Sequence, residues 1–391
     1  MCGIFCLISL QNNPEILLQK FKLFEKSLLR RGPNSVKTAF HKLKDSSVLI
    51  AASVLWLQGA DMTVQPLEDD KSVLIYNGDV FGGTLITEEL RQSVGDTKLF
   101  FEALTKSDNV FHTIKFTLGA TVMEDAYTCD HAVTGVLFSG GVDCAVLALL
   151  TDKFVEKTRP IDLINVAFEK EGSYNTPDRL TGLSTLSELQ ILCPERIWNF
   201  VEVNVTRQEL DSCRAERISD LIYPLKSILD DSLGCALWFA SRASTATYRS
   251  PCRTLLVGMG ADELFGGYTK HRAAFQKRGW QGLHEILEED WQNLPHRNLA
   301  RDDRVVSDHG RQLRTPYLDE EVVDFIQSLN CWDKTFPSNE LPQGIGEKIL
   351  LRTLANYLDL KNAARLKKRA LQFGSRIANP KENAHETSLR L

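Results

Sequence analysis

No Cys-x-x-Cys pair occurs among the nine cysteines, which are odd in number and scattered singly. That pattern argues against a disulfide framework and against a structural zinc site. No apolar run approaches the ~18 residues that a membrane helix needs. The opening MCGIFCLISL has neither the basic start nor the small-residue cleavage pattern of a secretory signal. Positive charge is not in excess: 46 Lys and Arg stand against 51 Asp and Glu, a net charge of −5 with a pI of about 6.0. Nothing therefore draws the chain to nucleic acid or to an anionic membrane. Internal repeats and low-complexity blocks are absent too. The expectation is a reduced, cytoplasmic protein with no nucleic-acid and no membrane partner.

What is present is the balance of an ordinary globular protein: 391 residues, 43% hydrophobic and 25% charged. That length suggests two or three domains and suffices for a sizeable core. Residues 14–31 (PEILLQKFKLFEKSLLRR) space their apolar side chains as a helix and stop at Gly32-Pro33. SSVLIAASVLWL and KSVLIYNGDVF read as buried strands. From Pro160 strands and helices alternate (IDLINVAF, LSTLSELQIL, RIWNFVEVNV, ILDDSLGCALWFASRA, RTLLVGMG), which predicts a parallel sheet with helices on its faces. Beyond Tyr268 the pattern is mostly helical, and the polar stretch after Arg376 is expected to fray. The boundary falls near 125–131, giving domains 1–128 and 129–391. Cys6 and Cys235 lie in apolar runs and read as core thiols. Trp198, Trp238, Trp280, Trp291 and Trp332 read as packing residues. His112, His131, His271 and His296 read as surface or capping residues, and the run RLKKR (365–369) as a solvated helix face.

One stretch, VTGVLFSGGVDCAVLALL (133–150), carries chemistry. A strand that ends in Ser139-Gly140-Gly141 and enters a helix aims several backbone N–H groups at one spot, where negative charge is favoured. Ser139 adds a hydroxyl, and Asp143 can hold a magnesium ion that bridges phosphates. No lysine follows the glycines, so the loop is not of the Walker type.

This loop resembles the S-G-G-x-D-S pyrophosphate loop of enzymes that adenylate a substrate. VGMGADELFGGY (257–268) resembles the G-E-G-A-D-E-x-F-G-G-Y signature of asparagine synthetases. RDDRVVSDHGRQLRTPYLD (301–319), GIGEKILLR (344–352) and RALQFGSRI (369–377) extend the resemblance over nearly all of 133–377. Toward the start, MCGIF, RRGPN, QPL, NGDVF and GDTKLF stand in the order seen in class II glutamine amidotransferases. The resemblance implies an α/β protein. A shortened Ntn-type glutaminase sandwich would precede an adenine-nucleotide α-hydrolase-like parallel-sheet domain with a helical C-terminal part. It implies ATP and Mg2+, with glutamine and aspartate as substrates.

By that resemblance Cys2, once the initiator methionine is removed, would be the nucleophile, with its own α-amine as base. Asn77 and Gly78 would form the oxyanion hole, and Asp79 and Asp96 would join them in binding glutamine. Leu137, Ser139, Gly140, Gly141, Asp143, Cys144, Val166, Val257 and Gly258 would bind ATP, with Asp143 and Asp262 as metal ligands. Departures from the pattern bear on activity. Val54 stands where relatives carry an arginine that clamps glutamine, and the glutaminase half is cut short after Phe101. Met259 replaces a glutamate thought to assist proton transfer from ammonia. Ala370 replaces a lysine that stabilises charge in the adenylate steps, with Lys368 and Arg369 close by. Cys144 replaces the last serine of the loop, a weaker donor that predicts weakened nucleotide binding. Two functions stay open: ATP-dependent, glutamine-hydrolysing asparagine synthesis, or a catalytically impaired pseudo-enzyme that binds nucleotide or serves as a scaffold.

Overall fold

The computed structural model describes residues 2–10, 13–43, 46–57, 59–78, 95–106, 133–342, 344–379 and 381–391. Backbone contacts divide the chain into two compact units, Met1–Ala132 with Ser307–Arg311, and Val133–Val306 with Gln312–Leu391. The expected boundary near 125–131, and with it His112 and His131, lies outside the described residues.

In the first unit, β1 (Gly3–Ser9), β2 (Ser35–Lys42) and β3 (Ser47–Val54) form an antiparallel sheet in the order β1-β3-β2. Helix α1 (Pro14–Arg31) starts where the side chain of Asn13 accepts from the N–H groups of Glu15 and Ile16, with Pro14 in the first turn. It buries Leu17, Phe21 and Leu28 against Leu49 and Ala51, each large side chain contributing about 1.5–3 kcal/mol. Cys6 is exposed rather than a core thiol. Strand periodicity explains the difference, because Gly3, Phe5 and Leu7 turn inward while Ile4, Cys6 and Ile8 turn outward. The expected strand KSVLIYNGDVF shrinks to β5 (Val73–Leu74), paired with β4 (Leu67–Glu68). Past it the N–H of Tyr76 donates to the side chain of Gln65 at 2.6 Å, so that donor does not join the ladder. Helix α2 (Asp96–Thr105) follows.

The second unit is a five-stranded parallel sheet of β6 (Thr134–Leu137), β7 (Ile161–Phe168), β8 (Trp198–Val205), β9 (Thr254–Leu256) and β10 (Gln312–Arg314), in the order β10-β9-β6-β7-β8. Helices α3 (Val142–Phe154), α4 (Pro177–Leu192) and α5 (Ile228–Arg242) connect or cover the strands. Every residue of β7 is buried, as a strand covered on both faces requires. Its odd member, Asp162, is satisfied by Asn199 Nδ2 and the Tyr248 hydroxyl, each at 2.9 Å. Ile161 and Leu163 enter one core while Ile164, Val166 and Phe168 enter the other. The chain leaves β6 toward β7 and β8 and later returns to β6's other side with β9. The C-terminal edge of β6 is thus a topological switch point, where open α/β sheets bind ligands.

Helices α6 (Ala261–Phe265), α7 (Thr269–Leu294, broken at Gly279), α8 (Ala300–Ser307), α9 (Ile349–Tyr357) and α10 (Leu371–Gly374) belong to the C-terminal part. Among the described residues no helix is long and apolar enough to cross a membrane. Several expectations change here for tertiary reasons. Of RLKKR only Arg365 lies in a helical turn (Ala363–Arg365), and the residues after it form no helix. Buried Arg352 takes the carbonyls of Ala364 and Leu366 at 2.7 and 2.8 Å, which a continuing helix would have used. The segment after Arg376 is anchored rather than frayed: Ile377 is in the core, and Ala384 and Glu386 bond the first turn of α5. His271 is fully buried against Asp290 at 2.8 Å while also capping α7. Trp332, expected to pack, is 55% exposed with one edge on Trp280.

Candidate functional site

A cavity of about 700 Å³ opens at the switch point. Its loop begins where the N–H of Phe138 donates to the Ile164 carbonyl (2.8 Å) and the chain leaves β6. Gly140 then adopts φ +81°, and a Cβ there would lie 2.6 Å from the backbone N of Gly182. Thr185 Oγ1 holds the Gly140 carbonyl at 2.7 Å, pinning the loop to α4. No side chain caps the first turn of α3, whose N–H groups are the natural partners of an anion. Gly140→Ala should therefore cost about 2–4 kcal/mol in strain and overlap. It should also abolish any anion binding at this loop by the folded remainder. Urea titration and calorimetry with a nucleotide analogue would expose an error if the variant binds normally.

Ser139, Gly141, Asp143, Cys144, Leu137, Val166, Val257, Gly258 and Asp262 all line this cavity, while Gly140 faces α4. The Cys144 thiol donates to the Gly141 carbonyl (3.2 Å) and lies 3.6 Å from Ser139 Oγ. Burial pushes it up to about 11, so it stays a neutral donor within the loop. Cysteine thus keeps the local bond a serine would make.

Asp143 and Asp262, one from each motif, converge on a single ammonium. Lys348 Nζ sits 2.8 Å from both oxygens of Asp143 and 2.6 Å from Asp262 Oδ1. Lys368 pairs with Asp262 Oδ2. Burial alone would raise the Asp262 pKa, but the two ammonium groups outweigh it and hold it well below the usual carboxylate range. The opposite balance raises Lys368: burial lowers it, and Asp262 and Asp143 more than compensate. A Cβ on Gly267 would fall 1.9 Å from Asp262 Oδ1 and 2.2 Å from Lys348 Cε, so this signature glycine makes room for the ion pair.

Asp262 Oδ1 is buried and, although close to Lys348, lies off any hydrogen-bond line. Asp143 and Asp262, drawn together by one ammonium, are a carboxylate pair that Mg2+ could take over by displacing the lysine. The ion commonly uses one or two carboxylates, keeps waters and takes the rest of its shell from phosphates. Among the described residues no group of three or more His, Cys, Asp or Glu forms a self-sufficient metal site.

Beside this cluster, Glu263 accepts from the Tyr268 hydroxyl (2.7 Å) and Asn298 Nδ2 (3.1 Å). Burial raises its pKa. Asp178 is pushed up to about 7 by burial, partly offset by Arg369 at 3.5 Å. Buried Asn165 ties the loop to α4, donating to the carbonyls of Phe138 (2.8 Å) and Asp178 (3.1 Å). Met259 and Ala370 line the cavity, Met259 with its side chain against the α5 core. Lys348 and Asn165 escaped sequence reasoning. Lys348 stands inside the matched segment GIGEKILLR, which was the available signal.

In the first unit, Cys2 Sγ accepts the Leu55 N–H at 3.4 Å, directly after β3. Val54 is buried at the end of that strand. Asn77 is half-buried and Gly78 exposed. Asp96 opens α2 and accepts from Thr97 Oγ1 at 3.2 Å. Asp79 lies outside the described residues.

A glycine loop at the switch point of a parallel sheet, floored by carboxylates and lysines, marks a mixed α/β protein with its candidate site at the C-terminal edge of that sheet. The chain belongs to the asparagine synthase family, whose model matches residues 128–281 and 274–387. It is 47% identical over 273 residues to "Asparagine synthetase domain-containing protein CG17486" of Drosophila melanogaster, covering 66% of this chain and 47% of that protein. It is 43% identical over 306 residues to human "Asparagine synthetase domain-containing protein 1", covering 66% and 47%. Escherichia coli "Asparagine synthetase B [glutamine-hydrolyzing]" is 27% identical over 220 residues, 54% of this chain and 36% of that one. The chain spans about half the length of the curated relatives it matches.

Proposed function

We propose that residues 129–391 form a synthetase domain that binds ATP, adenylates the side-chain carboxylate of aspartate and yields asparagine. Residues 1–128 would be an incomplete Ntn-type glutamine amidotransferase domain supplying ammonia from glutamine, and the protein would act in the cytoplasm. The observation that carries this reading is the meeting of Asp143 and Asp262, from the two signature motifs, on Lys348 inside one cavity.

The loop N–H groups and Ser139 would hold the phosphates, and the apolar side of the cavity (Leu137, Ile164, Val166, Leu237, Ala240, Val257) would take the adenine. Asp143 and Asp262 would hold Mg2+, which when bound supplies neutralising charge to the phosphates. An aspartate carboxylate oxygen bonds the α-phosphorus, the bond to the β-phosphate oxygen breaks, and pyrophosphate leaves. Ammonia then bonds the acyl carbon, the acyl–oxygen bond breaks, AMP leaves, and one proton passes to a base.

Lys368 supports the first step, since it already stands in the cavity and supplies the cation that Ala370 cannot. Lys368→Ala should lower aspartate-dependent ATP–pyrophosphate exchange about 10- to 100-fold, the loss of a charge-assisted bond. Undiminished exchange would remove Lys368 from that role. Absence of exchange in the unmodified chain would defeat the adenylation reading itself. A second reading, a pseudo-enzyme that retains nucleotide binding or acts as a scaffold, is favoured by Met259. That side chain offers no base where the amide step needs one.

A further inference from the structure

Residues 381–391 pack on the start of α5 and place one residue, His385, in the lining of the cavity. The first N–H groups of any helix lack intrahelical partners, and in α5 two of them are met from this segment. Ile228 donates to the Glu386 carbonyl (2.9 Å) and Leu229 to that of Ala384 (3.0 Å). Ser388 N–H returns a bond to the Lys226 carbonyl at 2.8 Å, and Thr387 bridges Ser227 in antiparallel fashion. A latch secures the arrangement. Asp231, fully buried in the first turn of α5, receives Ser388 Oγ and Arg390 Nε on Oδ2, both at 2.9 Å. Its other oxygen is held by Arg214 Nε at 2.8 Å. His385, between the two carbonyls that cap the helix, lines the same cavity as Leu229 and Leu233, and its neighbour Ala384 holds the Leu229 N–H. Those leucines share a helix face with Leu237 and Ala240, the apolar side of the cavity.

We infer that His385 is a ligand-contacting residue of this cavity, meeting the nucleoside part of the bound nucleotide, and that the Asp231 latch holds it there. The inference rests on the nucleotide reading above. Phosphates have the glycine loop and the lysines, whereas His385 adjoins the apolar face, where a planar base finds van der Waals contact. An imidazole there can lie against the base, and the loss of such a contact to alanine weakens binding about 5- to 100-fold. Through His385 the segment completes the pocket.

Three probes, titrated with Mg2+ present, separate the possibilities: a non-hydrolysable ATP analogue, adenosine, and inorganic triphosphate, each into wild type, His385→Ala and Arg390→Ala. His385→Ala should weaken the analogue and adenosine by at least about fivefold while leaving triphosphate binding unchanged. Arg390→Ala should weaken the analogue less and speed hydrogen exchange at the Ile228 and Leu229 amides. Analogue binding should slow exchange there in wild type, and His385→Ala, an exposed substitution, should melt as wild type does. Equal weakening of triphosphate would place His385 on the phosphates and overturn the assignment. Weakening confined to samples containing aspartate would move it to the acceptor and do the same. Unchanged affinities in both variants, with wild type binding, would overturn the inference alone. A wild type that binds no analogue would overturn the nucleotide reading with it.

Discussion

Replacement of Lys348 by methionine is expected to cost about 3–5 kcal/mol of stability, the usual penalty for stripping one partner from a buried ion pair. The side chain is 1% exposed and neutralises Asp143 and Asp262 at once. Methionine keeps much of the volume and removes the charge, so the loss reports electrostatics rather than a cavity. The pH dependence has a definite sign. Asp262 is held below its ordinary pKa, so its contribution is present above the unfolded value of ~3.9 and lost as pH falls toward the depressed native value. With one ammonium gone that depression shrinks. The gap between wild type and variant should therefore be widest near neutrality and close on acidification. Urea unfolding from pH 7 to pH 3 measures it. A gap that stays constant over this range would show that Lys348 acts by packing.

The second large effect concerns the amide step. With ammonia supplied directly, the unmodified chain is expected to form asparagine feebly even where pyrophosphate exchange is brisk. Ammonia bypasses Cys2, Val54 and the glutamine hydrolysis proposed for residues 1–128, leaving the cavity of the second unit alone to act. Met259 lines that cavity but cannot accept a proton. Supplying a positioned base is typically worth ~10²–10⁴-fold. Met259→Glu should thus raise ammonia-dependent asparagine formation by about that factor and leave exchange unchanged. Met259→Gln, of similar size but without a base, should give no gain. Equal behaviour of the two variants would show that proton transfer is not the bottleneck. Robust synthesis by the unmodified chain would eliminate the pseudo-enzyme reading.

The parallel sheet was legible because a doubly covered strand writes itself as an unbroken apolar run, as IDLINVAF does. The loop was legible because glycine at positive φ beside a neighbouring helix leaves little choice of residue. Other features depend on partners that sequence order hides. Lys348 meets Asp143 across 205 positions, and only the fold brings them together. RLKKR has helical propensity, yet Arg352 captures the carbonyls a helix would need. Cys6 stands in an apolar run that suggests burial, yet the sheet alternates inward and outward and leaves it exposed. The segment after Arg376 reads as polar, and its order comes from a buried aspartate about 150 residues earlier in the chain.

The cavity floor has a consequence for what can enter it. Two carboxylates face two ammonium groups, so Asp143, Asp262, Lys348 and Lys368 sum to no net charge before any ligand arrives. A triphosphate entering bare finds no uncommitted cation in this quartet and must pull a lysine off its carboxylate, exposing that carboxylate to the incoming anion. A divalent ion arriving with the triphosphate would instead take over the two carboxylates and free both lysines for the phosphates. The floor therefore acts as a filter on the ionic form of the ligand. Affinity for the uncomplexed anion should be poor whatever the fit of its base.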